Sequence, residues 1–167
     1  AQLLEKGLGA VAGYVVPIKP NETTGGWRTS QWPLRRERLY LTEGDSPMGL
    51  RLPLDALPWV LPEDVEPVFN VDPFSDRAAL DVPAKAKRKT AKEKAALKVN
   101  PDPREVIHTA FCVQVRAGRL HVFMPPLVRL EDSLALVAAI EAVAEQLSMR
   151  VRLEGYPPPW DPRLRVL

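Results

Sequence analysis

Proline is the residue type that most restricts how this chain can fold. The chain has 18 prolines among 167 residues, about twice the ordinary frequency of ~5%. Five of them follow one another at short intervals: Pro53, Pro58, Pro62, Pro67 and Pro73. Because proline lacks a backbone donor and clashes inside helices, this stretch cannot be helix interior or central strand. We expect residues 56–83 to be extended chain lying across a surface.

The clearest pattern of secondary structure lies in the second half of the chain. Residues 106–115 and 120–124 are rich in β-branched and aromatic residues and flank a short turn. The turn sequence predicts a hairpin with Ala117 and Gly118 as its two loop residues.

A helix and a short strand are predicted to follow the hairpin. Residues 131–147 begin with two acidic residues that suit the helix dipole. Apolar residues at helical spacing predict one buried face: Leu136, Ile140, Val143 and Leu147. Residues 151–153 predict a returning strand, and a proline-rich segment leaves it.

The first half predicts short strands at residues 11–18, 27–34 and 38–42, forming an antiparallel meander. Its last strand is indicated by alternating leucines: Leu50, Leu52 and Leu54. We expect these leucines to seal one side of the strand and to leave Arg51 on the other.

The fold class predicted from these elements is α+β, a mainly antiparallel sheet with one long amphipathic helix packed on it. We interpret residues 1–167 as one fragment of a larger domain. It divides into residues 1–83, the meander and extended segment, residues 84–104, a basic low-complexity insert, and residues 105–167, the hairpin, helix, strand and exit.

The charge is concentrated in the basic insert. The whole chain has 23 Lys and Arg against 21 Asp and Glu, a net charge of +2. The insert contains lysines but no aromatic residues between them, so nucleic-acid bases would have no aromatic side chain to stack on. This composition favours a solvated linker over a segment that binds nucleic acid or acidic lipid. A single cysteine, and no apolar run long enough to span a membrane, predict a cytoplasmic protein without disulfides or membrane contact.

Histidine and cysteine give no strong catalytic signal. In the predicted hairpin His121 faces Gln114, and we expect both His121 and His108 to be ordinary surface residues. Cys112 lies diagonally from His121, which allows a thiol and imidazole pair. A mid-strand cysteine is more typical of a small buried filler than of a nucleophile.

Arginines and carboxylates near two turns are the remaining candidates. Arg51 follows a glycine-rich turn and could grip an anion, or form a salt bridge to Asp55 or Glu43. Glu154, Asp161 and Arg163 bracket the proline-rich exit, where such carboxylates could hold Mg²⁺.

The order of several sequence blocks along the chain resembles one protein family. The most specific block runs from Gly44 to Trp59, with Gly44-Asp45-Ser46-Pro47-Met48-Gly49 at its start. Further matching blocks lie at residues 7–17, 27–32, 119–123, 129–132 and 153–159. Together they resemble part of the large bacterial transglutaminase-like proteins, whose long C-terminal region is classed as an amidoligase.

This resemblance implies a glutamine-synthetase-like ligase fold and a reaction. ATP would phosphorylate a substrate carboxylate, and an amine would then displace phosphate to give an amide. The resemblance implies Mg²⁺ as well as ATP. It gives candidate roles to Arg51 as an anion clamp, to Asp45 as its orienter, to Glu154 as a metal- or amine-binding carboxylate, and to Arg163 as a second cofactor-binding arginine.

Two functions are left open by the sequence. In the first, the chain is one wall of an ATP-dependent ligase, inactive without the rest of its parent polypeptide. In the second, it is a non-catalytic module that docks the transglutaminase-like domain or presents a peptide substrate, with Trp27, Trp32 and Trp59 as anchors. Convergence of Arg51 and Glu154 on one face would favour the ligase.

Overall fold

The structure, a computed structural model, describes residues 13–23, 25–34, 39, 41–45, 50–61, 63, 72, 75–80 and 102–165. The basic insert up to residue 101 lies outside the described residues, as do residues 1–12 and half of residues 56–83. The predictions made for those residues therefore stay predictions.

The described chain has eight strands and one α-helix. In chain order they are β1 (Tyr14–Pro17), β2 (Lys19–Pro20), β3 (Trp27–Arg28), β4 (Thr42–Glu43), β5 (Leu50–Arg51), β6 (Ala110–Arg116), β7 (Arg119–Met124), α1 (Leu130–Gln146) and β8 (Val151–Gly155). Four strands form the main sheet in the order β1-β6-β7-β8, while β2-β3 and β4-β5 form two separate ribbons. The predicted α+β class is confirmed, with one parallel pair in an otherwise antiparallel sheet.

The β6–β7 hairpin has the predicted register. Gln114 pairs with His121, and Val115 with Leu120. Ala117 and Gly118 have φ angles of 48° and 71°. Two positive φ angles in a two-residue loop give a turn whose twist matches that of the flanking strands. The strand begins later than predicted, at Ala110.

The helix α1 covers one face of the main sheet. Leu136 is buried against Ile18 and Met124, and Val137 and Ile140 pack around this core. The predicted apolar face is therefore right in its first half. It is wrong at Val143 and Leu147, which are 54% and 58% exposed, because the described core lies against the first turns of the helix.

The strand β8 returns parallel to β7 after α1. Leu120 pairs with Val151, and Phe123 with Glu154. A strand–helix–strand crossover of this kind is the usual way in which two neighbouring parallel strands are joined. It places the C-terminal part of the chain at an edge of the described sheet.

The predicted meander of the first half is wrong as one continuous sheet in the described residues, although two of its neighbouring antiparallel pairings are present, β2 with β3 and β4 with β5. The strand β1 pairs with β6 of the second half, and the short ribbons β2-β3 and β4-β5 are separate from it. The leucine strand is also wrong, because only Leu50–Arg51 is strand and a 3₁₀ turn begins at Leu54 after Pro53. Leu54 is 40% exposed, whereas Leu57 is buried.

Within the described residues, no helix has the length and apolar character needed to cross a membrane.

Candidate functional site

The main sheet has two faces of different character. Side chains alternate along each strand, and cross-strand partners share a face. Val16, Phe111 and Met124 therefore lie on the face that packs against α1. The opposite face, which we call the polar face, carries Cys112, Gln114, Arg116, His121 and Glu154.

Three side chains of the polar face form one ionic cluster. His121 Nδ1 lies 2.8 Å from Glu154 Oε1 and 3.0 Å from Arg116 Nη2. Arg116 Nη2 also donates to Glu154 Oε2. All three are largely shielded from solvent, with side-chain exposures of 28% for Arg116, 11% for His121 and 15% for Glu154.

The geometry assigns the tautomer of His121. Nδ1 faces two groups of opposite kind: the Glu154 carboxylate, which can only accept a hydrogen bond, and the Arg116 guanidinium, which can only donate one. Because Arg116 Nη2 also donates to Glu154 Oε2, we assign the Nδ1 proton to the shorter contact, the one with Glu154. A bare Nδ1 would instead direct its lone pair at a carboxylate oxygen. In the neutral ring, Nε2 therefore keeps its lone pair and can accept a proton or a hydrogen bond.

Glu154 is held ionised. Burial alone would raise the pKa of its carboxyl, but the hydrogen bonds from His121 and Arg116 outweigh burial and lower the pKa below its usual range. An ionised carboxylate on Nδ1 fixes the orientation of the imidazole, as in other acid–base pairs.

Gly155 allows β8 to approach β7 next to Glu154. Its φ is +97°, and a Cβ there would lie 2.7 Å from Met124 O and 2.8 Å from Met124 N. The chain then turns so that Tyr156 N donates to Met124 O at 3.2 Å. The Tyr156 ring packs edge-on against Phe123 at 6.2 Å, which secures the end of β8.

The expectation that both histidines are surface residues is wrong for His121. His108 is exposed, but His121 keeps only 9% of its surface exposed. Its carboxylate partner, Glu154, lies 33 residues further along the chain. The pairing of two parallel strands that far apart cannot be predicted from local sequence periodicity. The crossover rule for a strand–helix–strand unit was the signal that could have found it.

Cys112 is buried, as expected of a filler residue. It keeps 6% of its surface exposed, and burial raises the pKa of its thiol to about 11. The thiol therefore stays protonated at neutral pH and is a poor nucleophile.

Arg51 and Asp45 are brought together as predicted. Arg51 Nη2 donates to Asp45 Oδ1 at 2.8 Å, whereas the alternative partners Asp55 and Glu43 make no ion pair with Arg51 in the described part of the chain. The hydrogen bond from Arg51 lowers the pKa of the Asp45 carboxyl. Both side chains are largely exposed, at 60% and 89%, so the pair is a surface feature.

Arg51 and Glu154 belong to different sheets. Arg51 lies in the ribbon β4-β5 and Glu154 in the main sheet. Among the residues that the structure describes, no hydrogen bond or ion pair joins them, and each has partners of its own. The structure gives no support to a joint site built on these two side chains.

Arg163 is engaged in a buried clamp around Asp161. Its Nε and Nη2 donate to the two oxygens of Asp161 at 2.8 Å each. Its Nη2 also donates to Glu131 at 2.7 Å, and its Nη1 to the carbonyl of Ala78 at 2.8 Å. Arg77 donates to the same aspartate.

These bonds account for the charge state of the clamp and for its role. The bonds from Arg163 lower the pKa of the Asp161 carboxyl strongly, and Asp161 in turn raises the pKa of the Arg163 guanidinium. Because all three guanidinium nitrogens of Arg163 donate to protein atoms, its geometry is that of a structural tie between the chain end and the first turn of α1.

The arrangement around Glu154 does not fit a magnesium ion. Its two carboxylate oxygens are taken by His121 and Arg116. In the described ranges, no three or more His, Cys, Asp or Glu side chains are grouped so that they could hold a metal. A Mg²⁺ site needs oxygen ligands with open positions, whereas both oxygens of Glu154 are engaged by protein groups.

Comparison of the chain with curated proteins and with solved structures gives no match. A family model does match, and the match runs over residues 1–167, so it includes both the polar face and the Arg51 ribbon. The chain therefore belongs to the family described as "Putative amidoligase enzyme (DUF2126)".

Proposed function

We propose that this chain forms part of an ATP-dependent ligase that joins a carboxylate to an amine. The observation that carries the proposal is family membership over the whole chain. We further propose that its parent polypeptide includes a transglutaminase-like domain and that the chain alone is inactive. The resemblance of the Gly44–Trp59 block supports this parent.

The polar face would serve the amine side of such a reaction. An amine that attacks an acyl carbon must lose a proton, and a positioned general base accelerates this transfer typically by 10²–10⁴-fold. His121 has the tautomer for this task, with Nδ1 donating to Glu154 and Nε2 bearing a lone pair. Glu154 would act as a positioning residue that orients the ring and offsets its charge once it is protonated.

Arg51 would serve the phosphate side. Since its ribbon is separate from the main sheet in the described residues, this role requires the parent polypeptide to bring the ribbon and the polar face to one substrate. Its guanidinium is exposed, and Asp45 orients it through a single nitrogen. The other nitrogens make no hydrogen bond within the described residues and have the fork geometry that suits a phosphate. ATP, when bound, supplies the activation of the carboxylate. The described residues offer no group of three or more metal ligands, so we assign the Mg²⁺ ligands to residues beyond them, in this chain or in the rest of the parent polypeptide.

The test is calorimetric titration of MgATP into the full-length polypeptide and two matched variants. Arg51→Ala should weaken binding by about 10-fold or more, the loss expected for a hydrogen bond to a charged group. Arg28→Ala removes an exposed arginine from the other two-stranded ribbon and should change nothing. Absence of MgATP binding, or equal affinity in the two variants, would contradict the proposal.

A docking module is the second candidate, and exposed tryptophans favour it. Trp59 and Trp160 are each 75% exposed, and exposed aromatics are typical interface anchors. Trp27 packs at the core and Trp32 donates to the carbonyl of Ile107 at 2.7 Å, so these two anchors of the original docking hypothesis are used within the fold. Loss of domain association in Trp59→Ala and Trp160→Ala, with MgATP affinity unchanged, would favour docking.

A further inference from the structure

Gln114 presents a buried hydrogen-bond acceptor beside His121. The two residues are direct cross-strand partners on the polar face, which brings their Cβ atoms to about 4.5–5.5 Å. Within the described part of the chain, no donor lies within hydrogen-bonding distance of Gln114 Oε1, although this atom is buried. Native interiors rarely leave such an atom unpaired, and those that do often have a functional reason.

His121, the cross-strand partner of Gln114, supplies a second acceptor. Its Nδ1 is committed to Glu154, so Nε2 carries the lone pair of the neutral ring. Two acceptors on neighbouring strands, one an amide oxygen and one an imidazole nitrogen, are complementary to a group with at least two N–H donors. A primary amine is the simplest such group.

The surrounding charge selects the form of the amine. Arg116 has Arg119 as its cross-strand partner, and Arg152 Nε lies 3.8 Å from Glu154. Two guanidinium groups, those of Arg116 and Arg152, therefore lie near one carboxylate, and Arg119 adds a further positive charge on the neighbouring strand. Nearby positive charge disfavours a second cation and favours the uncharged form of a titratable amine. The uncharged amine is also the nucleophilic form.

We propose that Gln114 Oε1 and His121 Nε2 bind the N–H groups of a primary amine in its uncharged form. This inference rests on the proposed ligase function and names the class of its second substrate. Gln114 is the binding residue that sequence analysis passed over, and Glu154 contributes by fixing the imidazole. The side chain of Cys112, protonated and on the same face, adds no charge to the site.

The test is nitrogen NMR of the uniformly labelled chain. Hydroxylamine, uncharged at neutral pH, is the probe, and tetramethylammonium, a cation without N–H groups, is the control. We expect hydroxylamine to shift the His121 Nε2 signal saturably, while tetramethylammonium has no effect. His108, exposed and the second of two histidines in the chain, is the internal reference and should not move.

Gln114→Met provides the matched variant, because it keeps the side-chain length and removes the acceptor. It should weaken hydroxylamine binding about five-fold, the loss of one neutral hydrogen bond. Equal shifts of His108 and His121, a response to tetramethylammonium, or unchanged affinity in a folded variant would overturn the proposal. The comparison of His108 with His121 and the response to tetramethylammonium are both measured on the unmodified chain, so they test the proposal even if the variant does not fold.

The titration contains no ATP. A chain that binds hydroxylamine but whose parent does not bind MgATP would refute the ligase while leaving the amine site standing. If the parent binds MgATP but the chain does not bind hydroxylamine, the amine site alone is refuted.

Discussion

Replacement of Gly155 by alanine tests how the end of β8 is held against β7. Gly155 follows Glu154 directly and has φ +97°. An added Cβ would lie 2.7 Å from Met124 O, 2.8 Å from Met124 N and 3.0 Å from Phe123 Cδ1. Two of these atoms belong to backbone that pairs with β8, so they cannot move away cheaply.

The expected cost has two parts. A non-glycine residue at such a φ angle costs about 1–3 kcal/mol. Forcing a methyl group into a closely packed site costs about 1–3 kcal/mol more. Gly155→Ala should therefore destabilise the fold by roughly 2–6 kcal/mol. This is a large share of the total of about 5–15 kcal/mol that an ordinary domain has.

Gly118→Ala is the matched control. Gly118 also has a positive φ, +71°, but a Cβ there meets nothing within 4 Å. Only the backbone cost of about 1–2 kcal/mol should remain. Urea unfolding of the unmodified chain and the two variants, followed by circular dichroism, measures the difference. Equal destabilisation by the two substitutions would refute the close approach of β8 to Met124.

Three further predictions follow from core, charge and burial. Leu136→Ala should destabilise the chain by about 2–5 kcal/mol through loss of core packing, whereas Val143→Ala on the same helix should stay within about 0.5 kcal/mol in thermal unfolding. Equal costs would contradict the burial assignment. Because the folded pKa of Glu154 is lowered from 4.5, the stability that it contributes is complete above that pH and is lost as the pH falls below it. Glu154→Gln should flatten this acid dependence in urea titrations, and an unchanged slope would refute the pairing. The Cys112 thiol, with a pKa of about 11, should react with iodoacetamide at pH 7.5 only after unfolding, and fast labelling of the native chain would show that it is not buried.

The hairpin and the helix were predictable because their signals are local. Gly118 adopts a positive φ angle readily, and the two-residue turn that it forms with Ala117 fixes the register of both strands. The helix was predictable from the spacing of Leu136 and Ile140. Which turns of the helix meet the core depends on the sheet beneath them, so the exposure of Val143 could not be derived from spacing.

The errors arose where partners are distant in sequence or where proline competes with alternation. Leu50, Leu52 and Leu54 alternate as a strand would, but Pro53 interrupts the ladder and Leu54 starts a 3₁₀ turn. Glu154 was selected as a candidate carboxylate for its place beside the proline-rich exit. Its actual partners, Arg116 and His121, lie on other strands and follow from tertiary pairing alone.

The central claim is that Glu154 holds His121 with the proton on Nδ1. Nitrogen-15 chemical shifts of the two ring nitrogens at neutral pH measure this directly in the labelled chain. The structure predicts a protonated Nδ1 and a bare Nε2 for His121, with the exposed His108 showing no such fixed preference. A proton on Nε2 with a bare Nδ1 would contradict the pairing and, with it, the assignment of the polar face as a base and amine site.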